Sequence, residues 1–193
     1  IVVAYDYKRG EQRGPLRRDS LRLQTHRLPS QAERLAWLAE SLPHLPGTGI
    51  IYTLTRSDAE RVSAWLHSRG IDAPAYYSDV SDPTSGESYR QRLEEHLLAK
   101  RIKALVATSA LGMGFDKPDL GFVVHFQAPG SVIAYYQQVG RAGRDGREAP
   151  AILLAGEEDA EIHAYFRRTA FPPEAVITAV LDRLAASDGL TQT

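Results

Sequence analysis

The sequence predicts an α/β fold in which a mostly parallel β-sheet is flanked by helices. Two observations lead to this fold class. Short apolar segments with the length of buried strands alternate with segments that have helical periodicity and begin at capping residues. The spacing of these segments is typical of βαβ units, in which a helix connects two parallel strands. Ligands of such sheets bind where strands end and loops begin, so functional residues are expected in the loops.

The composition limits the class of protein. The 193 residues are 43% hydrophobic and 24% charged, with a formal net charge of -1 and no cysteine. These values are typical of a globular protein, and no apolar run reaches the ~20 residues of a membrane span. The absence of cysteine excludes disulfides and thiolate zinc sites. We expect no membrane partner and a cytoplasmic or nuclear location, and the start without Met suggests a piece of a longer chain.

The first part of the chain is basic and then becomes regular. Residues 1–19 are expected to be a solvated lead-in, which we prefer to a nucleic-acid contact. A short strand follows, and the capping box Ser30–Glu33 starts a helix. Gly49–Leu54 has the pattern of a buried strand. A second capping box, Ser57–Glu60, is predicted to start a helix that ends at Gly70.

The predicted domain continues to residue 156. Its further elements are a strand at 73–77, a helix at about 87–99, strands at 103–108 and 122–126, a helix that ends at Gly140 and a strand at 149–155. Residues 20–156 are therefore expected to form one domain. Residues 157–193 contain two further helical patterns and are expected to be a helical extension that begins another domain. The acidic residues at the start of this extension suit a helix N-terminus better than a metal site.

A glycine-rich turn with two arginines follows the predicted helix that ends at Gly140. Arg141 and Arg144 lie in this turn, whose glycines allow close approach to a ligand. Planar guanidinium groups in such a turn suit bidentate contact with phosphate. The alternative is that both arginines cap the helix C-terminus, where cations are favoured. Gln137, one helical turn before Gly140, can share a face with Arg141.

A second loop of interest follows the strand at 103–108. Thr108 and Ser109 place hydroxyl groups at the strand end, and Gly112 and Gly114 can expose backbone N–H groups to a phosphate. Asp116 is a carboxylate suited to a sugar hydroxyl. A Gly-x-Gly pair alone is equally compatible with a tight turn.

These two loops, in this order and one βαβ step apart, resemble motifs V and VI of superfamily-two helicases. The segment 107–119, the strand 123–126 and the segment 135–146 are similar to the RecQ family of DNA helicases. The strand at 49–53, with Thr55 and Arg56, resembles motif IV. The resemblance covers roughly residues 20–155. It implies a RecA-like domain that is the second of two in a helicase motor.

The resemblance also implies roles for individual residues. Arg144 would be the arginine finger, Arg141 would assist it, and Gln137 would connect the nucleotide site to the motif V loop. Four residues would contact the nucleotide: Gly112, Gly114, Asp116 and Gly140. Four others would contact the DNA backbone: Thr53, Leu54, Thr108 and Ser109.

The implied cofactor and partners follow from the same resemblance. ATP with Mg²⁺ would be bound mainly by a first RecA-like domain of the same protein, and DNA would be engaged as a single strand and at a duplex junction. The sequence contains neither the Walker A signature nor an Asp-Glu-x-His motif. This chain alone is therefore not expected to hydrolyse ATP. Typical relatives carry a four-cysteine zinc module after this domain, which a chain without cysteine cannot form.

Two other functions fit parts of the pattern. A nucleic-acid-binding or regulatory module could retain the fold without motor activity. An RNA helicase of the DEAD-box kind is disfavoured because Gln137 begins the arginine motif where that kind usually has His-Arg. The resemblance favours a DNA helicase that moves from 3′ to 5′.

Overall fold

The computed structural model describes residues 19–78, 80, 89–109, 111, 119–169 and 174–185. The fold divides into two compact units between Glu157 and Glu158. The described elements of the first unit are β1 (Leu21–Arg27), α1 (Gln31–Ser41), β2 (Gly49–Tyr52), α2 (Arg56–Ser68), β3 (Ala75–Tyr76), α3 (Tyr89–Leu98), β4 (Ala104–Ala107), β5 (Phe122–His125), α4 (Val132–Val139) and β6 (Ala149–Ala155). A short 3₁₀ helix, Leu42–His44, follows α1.

The six strands form one sheet in the order β1-β6-β5-β2-β4-β3, and every neighbouring pair is parallel. The predicted fold class is therefore confirmed. In the central register, Tyr52 pairs with Ala107 on one side and with His125 on the other. The last residues of β2, β4 and β5 therefore lie level with one another at the carboxyl end of the sheet. Loops that leave these strands share that end.

The side chains of each strand alternate between the two faces of the sheet. Helices cover both faces. One face packs apolar residues of α1 and α2, among them Leu38 and Val62, against Ile51 and Val124. The other face packs Leu93 and Leu97 of α3 against a second buried cluster that also contains Ala142 and Ala149. A sheet buried on both faces explains why the central strands have continuous apolar sequences.

The predicted strands and helices are confirmed in the described residues, but one helix start is wrong. The capping box at Ser30 forms as predicted, with the Ser30 hydroxyl and the Glu33 carboxylate bonding each other's backbone N–H. For α2 the N-cap is Thr55, not Ser57, because the Thr55 hydroxyl accepts the backbone N–H of Asp58 at 3.1 Å. At the other end, Gly70 adopts φ +74° after the last helical turn, as the predicted helix stop requires.

The helix α4 ends at Gly140 as predicted, and its apolar residues Val132, Ile133, Tyr136 and Val139 recur at helical spacing. Ser131 caps it by accepting the N–H of Ala134. Val139 is buried, whereas Val132, Ile133 and Tyr136 are 82%, 72% and 53% exposed. The apolar stripe therefore identifies the helix but not the face that packs on the sheet.

The second unit contains α5 (Asp159–Thr169) and α6 (Glu174–Ala185). The apolar residues of α6 that face one side are partly exposed, including Val176, Val180 and Leu184. Across the part of the chain that the structure describes, no helix has the length and apolar character needed to cross a membrane.

Candidate functional site

The arginine turn, Gly140–Gly146, lies at the amino end of the sheet. Gly143 adopts φ +61°, and its N–H donates to the carbonyl of Leu120, just before β5, at 3.0 Å. The Ser20 hydroxyl, just before β1, donates to the carbonyl of Gly143 at 2.9 Å. An added Cβ at Gly143 would lie 3.0–3.1 Å from three neighbouring atoms. The turn is thus fixed by its own backbone and needs glycine at this position.

Arg144 is an exposed residue of this turn. Its Nε donates to the carbonyl of Gly140 at 3.1 Å, which is the C-terminal capping role considered from the sequence. A guanidinium carries five N–H donors, so a capping bond from Nε does not by itself prevent contact with a phosphate. Capping and phosphate contact are therefore compatible for Arg144. The bond fixes the first part of the Arg144 side chain against the end of α4.

Arg141 turns inward instead of outward. Its guanidinium lies near the hydroxyl of Tyr52, the last residue of β2. Burial raises the pKa of Tyr52 to about 12, and the positive charge of Arg141 acts in the opposite direction. The Tyr52 hydroxyl therefore stays protonated at neutral pH. Arg141 connects the arginine turn to the strand whose end carries two of the predicted DNA contacts.

His125, the last residue of β5, connects the sheet to α4. Its ring lies between Tyr52 and Tyr135, with centroid distances of 5.4 and 5.0 Å. Its Nε2 lies 2.9 Å from Oε1 of Gln138, so Nε2 carries the proton in this contact. Burial lowers the pKa of His125 to about 4, although the bond to Gln138 opposes the shift. The imidazole is therefore neutral at physiological pH.

The hydrogen bond between Gln138 and His125 was not predicted from the sequence. The sequence analysis instead named the neighbouring Gln137 as a site residue. Gln137 is exposed on α4. The helical step of about 100° turns Gln138, not Gln137, toward the sheet. Its partner His125 lies 13 residues earlier, and no local pattern indicates that pairing.

The second predicted loop is described only at its two ends. Gly112, Gly114 and Asp116 lie outside the described residues. At the second end of the loop, Asp119 forms an ion pair with Lys100 at 2.6 Å. Asp119 also lies close enough to the arginine turn for its charge to oppose the lowering of the pKa of Asp145, which is held low mainly by Arg147. A cavity of about 90 Å³ separates these two segments.

The four residues predicted to contact DNA all lie at the carboxyl end of the sheet. Thr53 is 5% exposed; its N–H donates to the carbonyl of Ala107 and its hydroxyl to that of Thr55. Leu54 is half-buried and its N–H is bound by Gln127. Thr108 is half-buried and Ser109 is exposed. The structure therefore brings the four together, with Ser109 the most accessible of them.

Metal ligands were not predicted in this chain. Among the residues that the structure describes, no group of three or more His, Asp or Glu side chains is placed to hold a metal ion. Arg144 is an exposed cation of the arginine turn and suits an anionic ligand, whereas the nearby carboxylates of Asp145 and Asp119 are paired with Arg147 and Lys100.

Comparison with known proteins gives the class of this domain. The model of the helicase conserved C-terminal domain matches residues 33–146, so the chain belongs to that family. Among solved structures, the chain is similar to a DEAD box protein from the hyperthermophile Methanococcus jannaschii, with a TM-score of 0.63 and 24% sequence identity. The match covers 77% of this chain and 39% of that chain. At that identity the likeness shows the fold alone, which is RecA-like.

The curated relatives narrow the class to the RecQ type. The chain is 39% identical over 132 residues to the ATP-dependent DNA helicase RecQ of Synechocystis, covering 65% of this chain and 27% of that protein. It is 44% identical over 106 residues to the putative ATP-dependent DNA helicase Q1 of Caenorhabditis elegans, covering 55% and 16%. The chain is thus a C-terminal helicase domain of the RecQ family. It spans a minor part of the length of these relatives.

Proposed function

We propose that this chain is the second motor domain of an ATP-dependent DNA helicase in which Arg144 is the arginine finger. ATP with Mg²⁺ would be held mainly by a first RecA-like domain, and it supplies the phosphoanhydride bond whose hydrolysis drives movement. The single observation that carries the proposal is the position of the arginine turn. Its backbone is fixed through Gly143, it exposes Arg144, and it lies beside Asp119 at the end of the motif V loop.

The division of work between the two arginines follows from their surroundings. Phosphoryl transfer is catalysed mainly by positioning and by neutralising charge, and a finger from a second domain acts only when the cleft between domains closes. Arg144 is exposed and can reach across such a cleft. Arg141 is held near Tyr52 and would assist by supporting the turn. Gly140, Gly112, Gly114 and Asp116 are the proposed nucleotide contacts, and Gln137 is the proposed link between the nucleotide site and the motif V loop.

DNA is the proposed partner at the opposite end of the sheet. Thr53, Leu54, Thr108 and Ser109 would follow the backbone of a single strand near a duplex junction. Contacts of this kind position the nucleic acid with little sequence preference. Closure of the two motor domains on ATP and opening after hydrolysis would then move the strand, and by the family resemblance the direction would be 3′ to 5′.

The test uses the chain joined to its native first domain. DNA-stimulated ATP hydrolysis is compared for wild type, Arg144→Ala and Arg147→Ala. Arg147 is the matched control, because it is an exposed arginine three residues away that pairs with Asp145. Removing an arginine finger lowers turnover by about 10³-fold or more, whereas nucleotide binding changes little. Turnover of Arg144→Ala equal to that of Arg147→Ala would refute the assignment.

A second measurement concerns the chain by itself. Because the sequence contains no Walker A signature, we propose that these 193 residues have negligible ATPase activity and bind DNA weakly, with an affinity that falls as salt rises. Steady hydrolysis of ATP by the purified chain would contradict this part of the proposal.

A further inference from the structure

The carboxyl end of the sheet contains a chain of buried hydrogen bonds that the proposed chemistry does not use. Gln127, just after β5, is 1% exposed, and Asp58 in α2 is 6% exposed. Oε1 of Gln127 accepts the N–H of Leu54 at 2.8 Å, and Nε2 donates to Oδ2 of Asp58 at 2.9 Å. A backbone N–H can only donate and a carboxylate can only accept, so these two partners fix the orientation of the Gln127 amide.

The Asp58 carboxylate is itself held on both oxygens. Oδ2 also accepts the Thr55 hydroxyl at 2.7 Å. Oδ1 accepts Nε2 of Gln31, from α1, at 3.2 Å and Nη1 of Arg61 at 3.3 Å. A buried carboxylate with this many donors has little freedom to move, and buried networks of this kind are costly to break. Gln127 is therefore anchored to a fixed point.

The segment that this network holds is the turn between β2 and α2. The N–H of Thr53 is bound by Ala107, the N–H of Leu54 by Gln127, and Thr55 is held by Asp58. The bond to Gln127 reaches the middle of the turn from the segment just after β5, 73 residues later in the sequence. Without it, the Leu54 peptide group would have to find another partner or rotate toward water.

We infer that Gln127 is a positioning residue for DNA binding. It holds the Thr53–Thr55 turn in one conformation, so the turn does not lose conformational freedom when a DNA backbone binds to it. This inference rests on the proposed contact between DNA and this end of the sheet. Gln127 acts through Leu54 and does not itself touch DNA, since its amide is buried and both ends are occupied.

The test compares two glutamines that bind the same carboxylate. Gln127→Met removes the link to Leu54, whereas Gln31→Met removes a donor to Asp58 but leaves the bond from Leu54 to Gln127 in place. Both variants are made in the chain joined to its first domain. We measure the dissociation constant for a single-stranded oligonucleotide by fluorescence anisotropy, and ATP turnover as a function of DNA concentration.

We expect Gln127→Met to weaken DNA binding by about tenfold, which corresponds to the loss of about 1.4 kcal/mol of preorganisation. The DNA concentration for half-maximal ATPase should rise by the same factor, with maximal turnover within about twofold of wild type. Gln31→Met should bind DNA as wild type does. Equal DNA affinity for Gln127→Met and Gln31→Met would overturn the inference, as would a loss of maximal turnover without a change in affinity.

A rescue experiment separates positioning from general damage to the fold. Gln127→Glu keeps the acceptor for Leu54 but places a second carboxylate against Asp58, so it should also bind DNA weakly. Adding Asp58→Asn supplies a donor to Glu at position 127 and restores the bond in the opposite direction. Recovery of DNA affinity in the double variant supports the inference, and a double variant weaker than Gln127→Glu overturns it.

The outcomes also distinguish this inference from the proposed function. If DNA fails to stimulate the wild-type motor, the proposed function fails. If DNA stimulates the wild type and Gln127→Met responds identically, only the positioning role of Gln127 fails.

Discussion

The Thr53–Thr55 turn and the arginine turn lie at opposite ends of one sheet and are held in different ways. The first is fixed by side chains that bind its polar groups: Gln127, 73 residues later, binds the N–H of Leu54, and Asp58, three residues later, binds the hydroxyl of Thr55. The arginine turn is fixed mainly by its own backbone, with Gly143 at φ +61° and bonded to Leu120 and Ser20.

This difference has a functional meaning under the proposed mechanism. A turn held by buried side chains presents a rigid surface, which suits repeated binding and release of a DNA backbone. A turn held through its backbone can carry an exposed side chain at a fixed position, which suits an arginine that must reach another domain. His125 and Gln138 join the two regions, because they connect the end of β5 to the last turn of α4, directly before the arginine turn.

The largest loss of stability is expected when the backbone of the arginine turn is disturbed at Gly143. Gly143→Ala places a side chain at φ +61° and within 3.0–3.1 Å of Arg147, Ala149 and Ser20 atoms. We expect the free energy of unfolding, measured with a chemical denaturant, to fall by about 3 kcal/mol, from backbone strain and crowding together.

Gly146→Ala is the matched control for this substitution. Gly146 has φ +85° and no atom within 4 Å of an added Cβ, so only the strain of about 1–2 kcal/mol remains. If the two variants lost equal stability, close packing around Gly143 would not contribute to holding the arginine turn.

The next effect is the pH dependence of stability that His125, which connects the two regions, is expected to cause. The pKa of His125 is lowered to about 4 in the folded state, below the usual value of about 6.5 in an unfolded chain. The unfolded chain therefore binds a proton at a pH where the folded chain does not. The stability from neutral His125 is fully present above about pH 6.5 and is lost as the pH falls toward 4. Between pH 7 and pH 5 we expect a loss of about 2 kcal/mol.

Denaturant unfolding at the two pH values measures this loss. His125→Phe retains an aromatic ring between Tyr52 and Tyr135 but cannot take up a proton, so its stability should depend less on pH by about the same amount. His67→Gln, at an exposed position of α2, should keep the wild-type dependence. An unchanged pH dependence in His125→Phe would show that other groups cause it.

These particular residues also show what could be predicted from the sequence. Strands, helices and the glycine stops depend on local patterns, and they are confirmed in the described residues. The start of α2 was ambiguous, because Thr55-x-x-Asp58 and Ser57-x-x-Glu60 both have capping spacing. Thr55 is selected because Asp58 is buried against Gln127, 69 residues later, and no local pattern carries that contact.

The face of α4 was unpredictable for a related reason. Apolar residues at helical spacing usually mark the buried face of a helix, but Val132 and Tyr136 of α4 are both exposed. The sheet presents the polar ring of His125 to this helix, and Gln138 supplies a hydrogen-bond partner there. A buried polar group selects the face that can satisfy it, and the sequence does not reveal which group lies beneath the helix.

The smallest expected effect compares the N-terminal caps of α2 and α4, which are Thr55 and Ser131. The Thr55 hydroxyl accepts the N–H of Asp58 and donates to its carboxylate, whereas the Ser131 hydroxyl at the start of α4 accepts the N–H of Ala134 in an exposed setting. Thr55→Ala should cost about 2 kcal/mol of unfolding free energy and Ser131→Ala about 1 kcal/mol. Thr55→Ser keeps the hydroxyl and should lose less than Thr55→Ala. Because the difference between the two caps comes from the buried bond to Asp58, equal losses at Thr55 and Ser131 would mean that this bond adds nothing to an ordinary cap.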